Sequence, residues 1–152
     1  MKIFRLILYL PLLLVCCCND SKSETTISEY ESQLIISKSL EYILEHKMLP
    51  KDYYDKPILI ANTDNRLHLT SKIHVNGFDC IILPQTTNIS KIIKRSDIYK
   101  PVPLLEIISI NMKGKYFYTD LIFRSTGHTF LLVIEKKGMN NFKVKTLKQQ
   151  SI

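Results

Sequence analysis

The chain has 152 residues, a formal charge of +7 and 45% hydrophobic residues. That length allows one small domain and excludes a multidomain enzyme, and the apolar content excludes an intrinsically disordered chain. Four glycines and no tryptophan leave little material for a glycine-rich phosphate loop.

Met1–Arg5 carries Lys2 and Arg5 and no acid; Leu6–Val15 is apolar apart from Pro11. Cys16, Cys17 and Cys18 follow, and the sequence then turns abruptly polar from Asn19 to Glu24. A short basic region, a short apolar region and a polar switch make the layout of an export signal. The apolar run falls short of the roughly 20 residues that a membrane-spanning helix needs. Leu14-Val15-Cys16-Cys17 resembles the bacterial lipoprotein signal, in which a cysteine after Leu and two small residues is lipidated and becomes the first residue. The resemblance implies lipidation of Cys17, with Cys18 as the alternative, and departs from the pattern in having Cys16 where Gly, Ala or Ser is usual. It implies a signal over 1–16 and covers about eighteen residues; the Ser-, Thr- and charge-rich run that follows reads as a tether, giving a lipidated cysteine and tether over 17–26 and, from the elements below, one domain over 27–148. The chain also resembles small Bacteroidota-type envelope lipoproteins in general style. The expected location is the cell envelope, membrane-anchored on the periplasmic side or at the cell surface.

Charge is uneven along the rest. Cys17–Asp55 has eight acids against four bases, whereas Lys56–Ile152 has six acids against fifteen bases. A basic body next to a membrane suits anionic lipid head groups or an acidic protein partner. An export signal argues against nucleic acid as the partner. The other reading is that the lysines are simply solvated.

The segment 27–47 reads as a helix. Ser28 and Glu31 have capping-box spacing, and Tyr30, Leu34, Ile36, Leu40, Ile43 and Leu44 make a broad apolar face. His46 and Lys47 suit its C-terminal end, and Pro50 stops it. Ile58–Ala61 is strand-like and precedes a turn at 62–65. Arg66–Val75 and Phe78–Leu83 read as strands around Asn76-Gly77, the strongest two-residue hairpin signal. Asn88–Arg95 reads as a short helix with Thr87 or Asn88 as its cap, and 99–103 as extended.

Four strand-like runs then follow: Leu104–Met112, Tyr116–Arg124, Thr129–Lys136 and Phe142–Leu147, with one Gly in each separator. In the second, Phe117, Thr119, Leu121 and Phe123 alternate with Tyr116, Tyr118, Asp120, Ile122 and Arg124. This predicts an antiparallel meander with one half-wet face. The fold expected is α+β: one long N-terminal helix packed on an antiparallel sheet that ends in a four-strand meander. The closing run Phe130–Gly138 and Asn141–Val144 resembles the last hairpin of cystatin-like and nuclear-transport-factor-2-like domains.

No catalytic constellation emerges, no cofactor pattern is present, and no metal set is complete. His68 and His74 are six residues apart, roughly 20 Å along a regular strand, too far for one ion. Cys80 could be drawn with His74 or His128 as nucleophile and base, but lies in an apolar run that suits a buried small hydrophobe. Ser125, Thr126 and His128 read as turn chemistry. Glu106 and Asp120 are either a carboxylate pair at a pocket or wet-face charges. Tyr118, Asp120 and His128 would line a helix–sheet cavity if the protein were a ligand carrier or an enzyme. Lys136, Lys137, Lys143 and Lys145, with Lys148 beyond them, are the most distinctive surface feature. They either bind acidic groups or blunt an edge strand against aggregation.

Overall fold

The computed structural model describes residues 27–63, 67–95, 101–138 and 141–151. The signal over 1–16, Cys17, Cys18 and the tether to residue 26 lie outside the described residues, as do parts of the turns at 64–66 and 139–140. The class is α+β, as expected. Helix α1 spans Glu29–Glu45, a single 3-10 turn covers Lys51–Tyr53, and α2 spans Ile89–Arg95. The strands are β1 (Leu59–Ala61), β2 (His74–Val75), β3 (Phe78–Asp79), β4 (Ile81–Leu83), β5 (Leu104–Lys113), β6 (Tyr116–Phe123), β7 (His128–Lys136) and β8 (Phe142–Ser151).

The main sheet has the order β4-β1-β5-β6-β7-β8, and β2 and β3 form a separate ribbon. It is mixed, which corrects the purely antiparallel expectation: β1 runs parallel to both β4 and β5, while β5 to β8 form the antiparallel meander. The cause lies at Cys80. Its N–H donates to the Ile73 carbonyl (2.7 Å), whereas the next N–H, of Ile81, donates to Ile58 (2.9 Å). The expected single strand 78–83 therefore changes partners at Cys80, leaving β3 in the ribbon and sending β4 to the main sheet. The hairpin turn forms as expected, with Asn76 (φ 53°) and Gly77 (φ 82°) both left-handed. The expected strand 66–75 is reduced to β2, because 67–73 is held as a loop by side chains. Asn62 pins Leu67 at both its N–H and carbonyl, and Glu29 takes the His68 N–H (3.1 Å) and the Ser71 hydroxyl (2.6 Å). For α2, Asn88 is the cap, accepting the Lys91 N–H at 2.9 Å.

Helix α1 begins with the expected capping box: Ser28 accepts from the Glu31 N–H and Glu31 reaches back to the Ser28 N–H. It buries Ile35, Ile36, Leu40, Ile43 and Leu44. These meet the inward residues of the meander, Phe117, Leu121, Phe123, Phe130, Leu132 and Ile134, all at 2% exposure or less. Each such side chain contributes about 1.5–3 kcal/mol through burial. At the centre of this interface two small polar residues, Ser39 and Thr119, are both fully buried with hydroxyls 3.4 Å apart. Tyr30, expected on the apolar face, is instead 69% exposed.

The helix stops two residues before the expected end. Lys47 adopts φ 53°, its N–H donates to Leu44, and the Met48 N–H donates to Ile43. This is a Schellman stop with lysine in the position that usually holds glycine. Pro50 therefore follows an end already made. Lys47→Gly is expected to raise stability by about 1 kcal/mol, and Lys47→Val to lower it, because a left-handed L-residue costs about that much. Urea unfolding of both variants checks this.

Candidate functional site

The antiparallel meander brings two turns to one end of the sheet. β5 ends at Lys113 and β6 starts at Tyr116; β7 ends at Lys136 and β8 starts at Phe142. The Lys136 N–H donates to the Lys115 carbonyl (3.0 Å), so the two turns are neighbours. The first turn of α1 lies at this same end, since Lys136 forms an ion pair with Glu31 (3.4 Å). The end therefore carries Lys113, Lys115, Lys136, Lys137 and Lys143. Glu135 pairs with Lys115 (2.7 Å), and its carboxyl is held below the ordinary range first by that hydrogen bond, with Lys137 and Lys143 adding to the effect. One carboxylate thus faces three lysines. Glu31 is also held low, first by the Ser28 N–H and hydroxyl and then by Lys136.

Between α1 and the turns lies an open groove of about 640 Å³. Leu34, Phe117 and Phe142 give it apolar walls, and Tyr30, Glu31 and Lys136 rim it. Sequence reasoning missed this groove. The one available signal was Tyr30 on the first turn of α1, which lines the groove.

The predicted lysines fall into two groups. Lys136, Lys137 and Lys143 belong to the basic end, and Lys143 also begins the row that continues with Lys145 on the outward side of β8, opposite Glu135 and Val133. The register shifts between Leu131 and Leu132, so Lys148 opposes Leu131 and Leu147 is left as a bulge, 54% exposed. Lys148 consequently shares the outward side with Lys143 and Lys145, a placement that simple alternation would not give. β8 is an edge strand of ten residues, and lysines on its outward side also suit edge protection.

Several predicted combinations do not come together. Tyr118 and Asp120 oppose Val133 and Leu131 on the outward face, while His128 opposes Phe123 and stacks on Phe130 on the inward face. Alternation along β6 and β7 thus separates the proposed cavity residues across the sheet. The helix–sheet interior where that cavity was expected holds the core aromatics Phe117, Phe123 and Phe130. Glu106 is engaged by Arg124 and opposes Ile122, leaving Asp120 diagonal to it on the wet face. His68 pairs with Glu29 (2.9 Å) and His74 with Asp79 (3.0 Å), each in its own exposed contact. Among the described residues no group of three His, Cys, Asp or Glu side chains could hold a metal ion. Ser125 and Thr126 sit in the β6–β7 turn, where the Thr126 and Gly127 N–H groups donate to the Phe123 carbonyl. Their hydroxyls lie beside the Tyr53 phenol, whose pKa is raised chiefly by burial.

Cys80 is half-buried against the core, and burial followed by the Asp79 charge pushes its thiol up to about 11. That is the reverse of an activated nucleophile. No helix among the described residues is long and apolar enough to cross a membrane. No protein-family model matches the chain, and no curated protein or solved structure shows significant similarity to it.

Two predictions follow from these environments. At pH near 8 a disulfide reagent should modify Cys80 on the order of a hundredfold more slowly in the folded chain than in urea, because so little thiolate is present. A folded rate equal to the unfolded one would contradict the burial. Glu29, Glu31 and Glu135 all have pKa values below their ordinary 4.5 in the folded state. Their contribution is therefore present above that value and lost as pH falls through the folded values. The urea midpoint should fall between about pH 5 and about pH 3, and Glu31→Gln should flatten that fall.

Proposed function

We propose that the chain is a lipid-anchored protein of the bacterial cell envelope and that its body is a non-enzymatic binding module. The lipoprotein-like run Leu14–Cys17 supports the anchor. Helix α1 begins at the Ser28 capping box, shortly after Cys17, which suits the tether read from the sequence over 17–26. Two or three acyl chains on one cysteine would hold the protein to the membrane permanently, whereas a single chain would not.

One observation carries the binding reading. The outward side of the meander has half-exposed Tyr118, Leu131 and Val133 beside exposed Lys143, Lys145 and Lys148, while the inward side is closed by α1. Such a surface suits contact with a partner. The candidate reactive groups support the same reading: the Cys80 thiol is raised, and His74 and His68 are each tied to one carboxylate. The resemblance of the closing hairpin to cystatin-like and nuclear-transport-factor-2-like domains is compatible with either binding or carriage.

The groove beside α1 favours a second reading, a carrier or enzyme for a small amphipathic ligand at the Tyr30–Phe142 rim. A native mass spectrum of the protein from its own host discriminates the two. A stoichiometric small molecule supports the carrier, and a bare mass supports the binding module.

The anchor is tested by mass spectrometry of the N-terminal peptide from a bacterial host that processes lipoproteins. The wild-type peptide should begin at Cys17 and carry acyl mass. Cys17→Ser should remove that mass and release the protein from the membrane fraction. Retention of the mass in Cys17→Ser and its loss in Cys18→Ser would move the site to Cys18. A wild-type peptide with no acyl mass would contradict the proposal.

A further inference from the structure

The lysines at the turns of the meander are not distributed as edge protection alone would place them. Lys113 and Lys115 belong to the β5–β6 turn, in the middle of the sheet. They join Lys136, Lys137 and Lys143 at the end where α1 begins, after its Ser28 cap. Among the described residues two carboxylates, Glu31 and Glu135, lie among these five lysines, and the nearby Glu29 is taken up by Ser71 and His68. The opposite end is mixed in charge. There α1 finishes near exposed Glu45 and Lys47, and the turn around Tyr53 adds exposed Lys51, Asp52 and Asp55.

Aromatic residues accompany the lysines. Tyr30 is 69% exposed, and Tyr116 is 37% exposed with the Lys115 ammonium 5.3 Å from its ring centre. Exposed tyrosines among lysines are the composition of a surface that sits at the level of lipid head groups. We propose that this end of the domain docks on the anionic phospholipid head groups of the membrane to which the protein is anchored.

The proposal rests on the anchor reading, because the tether is what keeps this end near the bilayer. Each lysine close to an anionic surface strengthens attachment by about fivefold. A tethered domain needs little such strengthening, since the tether already supplies a high effective concentration. Distance decides which lysines take part. Lys148 lies five residues beyond Lys143 along β8, roughly 16 Å at strand rise, and the field of the surface decays over about 8–10 Å. Lys113, Lys115, Lys136, Lys137 and Lys143 are therefore the contact set, Lys145, about 7 Å further along β8, lies at its margin, and Lys148 is outside it. Docked in this way, the groove between α1 and the β7–β8 turn faces the bilayer, and the outward side of the sheet stands clear of it.

The test uses the full chain, purified from host membranes and placed in vesicles. One set is neutral phosphatidylcholine; the other contains about one-third phosphatidylglycerol. Amine labelling is read at each lysine by mass spectrometry. The five contact lysines should label on the order of fivefold more slowly in the anionic vesicles, while Lys47 and Lys51 label equally in both. Lys137→Glu with Lys143→Glu, both at exposed positions, should abolish the protection of Lys113 and Lys115 without changing the circular dichroism. Equal labelling in both vesicles, with acyl mass present, overturns the docking and leaves the anchor. Protection that arises only in intact envelopes also overturns it, in favour of an acidic protein partner. Protection in anionic vesicles without acyl mass upholds the head-group contact and removes the anchor.

Discussion

The seating of α1 on the inward side of the meander is the interaction on which the rest of the structure depends. The helix buries one stripe of isoleucine and leucine on a surface of three phenylalanines and branched aliphatics. Apolar burial alone would allow the helix to slide along its axis, because greasy surfaces are weakly directional. The Ser39–Thr119 contact restricts that freedom. Two buried hydroxyls need partners, and Ser39 is already bonded to the Ile35 carbonyl at 2.8 Å while its oxygen meets Thr119. Shifting α1 by one turn would leave Thr119 facing an aliphatic side chain. The register so set places the first helical turn at the lysine-bearing end of the sheet, where Glu31 reaches Lys136 and Tyr30 is left in solvent.

That placement has an electrostatic consequence. The N-terminal part of the chain is acidic and the C-terminal part basic, and folding does not mix them evenly. Both meander turns at one end carry lysines, and the only acidic residues α1 brings there are Glu29 and Glu31 in its first turn. The bulge at Leu147 adds a second asymmetry by keeping Lys148 on the same side of β8 as Lys143 and Lys145. Charge is thus concentrated on one end and along one edge, away from the interface with α1. The surface ion pairs are individually weak. What matters is the excess of positive charge left after they form.

Much of this was legible in the residue pattern. Period-two alternation located all four meander strands, and the inward set of β6 matched Phe117, Thr119, Leu121 and Phe123. Asn76-Gly77 and the Ser28 capping box behaved as their local chemistry demands. The misses share a cause, which is that partner choice is not local. Nothing in Phe78–Leu83 reveals that Cys80 bonds backward to the ribbon while Ile81 bonds to the sheet, so the parallel β4-β1-β5 arrangement was hidden. The loop over 67–73 looked strand-like because its two anchors, Asn62 and Glu29, lie outside it. The helix stop was obscured by a lysine in a glycine position, and the two bulges, at Ile108 and Leu147, are products of pairing. For the site, the lysines were visible one by one, but their meeting with the first turn of α1 required the fold. The anchor reading rests on the sequence pattern of residues 1–18, which lie outside the described residues.

The central claim is that α1 lies along the meander with its first turn at the lysine-bearing end. Pulsed electron spin resonance on paired labels measures this most directly, with position 137 common to both pairs and position 30 or 47 as the second site. A helix of this length spans about 25 Å. The account predicts that the 30–137 distance is shorter than the 47–137 distance by an amount approaching that length. Equal distances, or the reverse order, would contradict it.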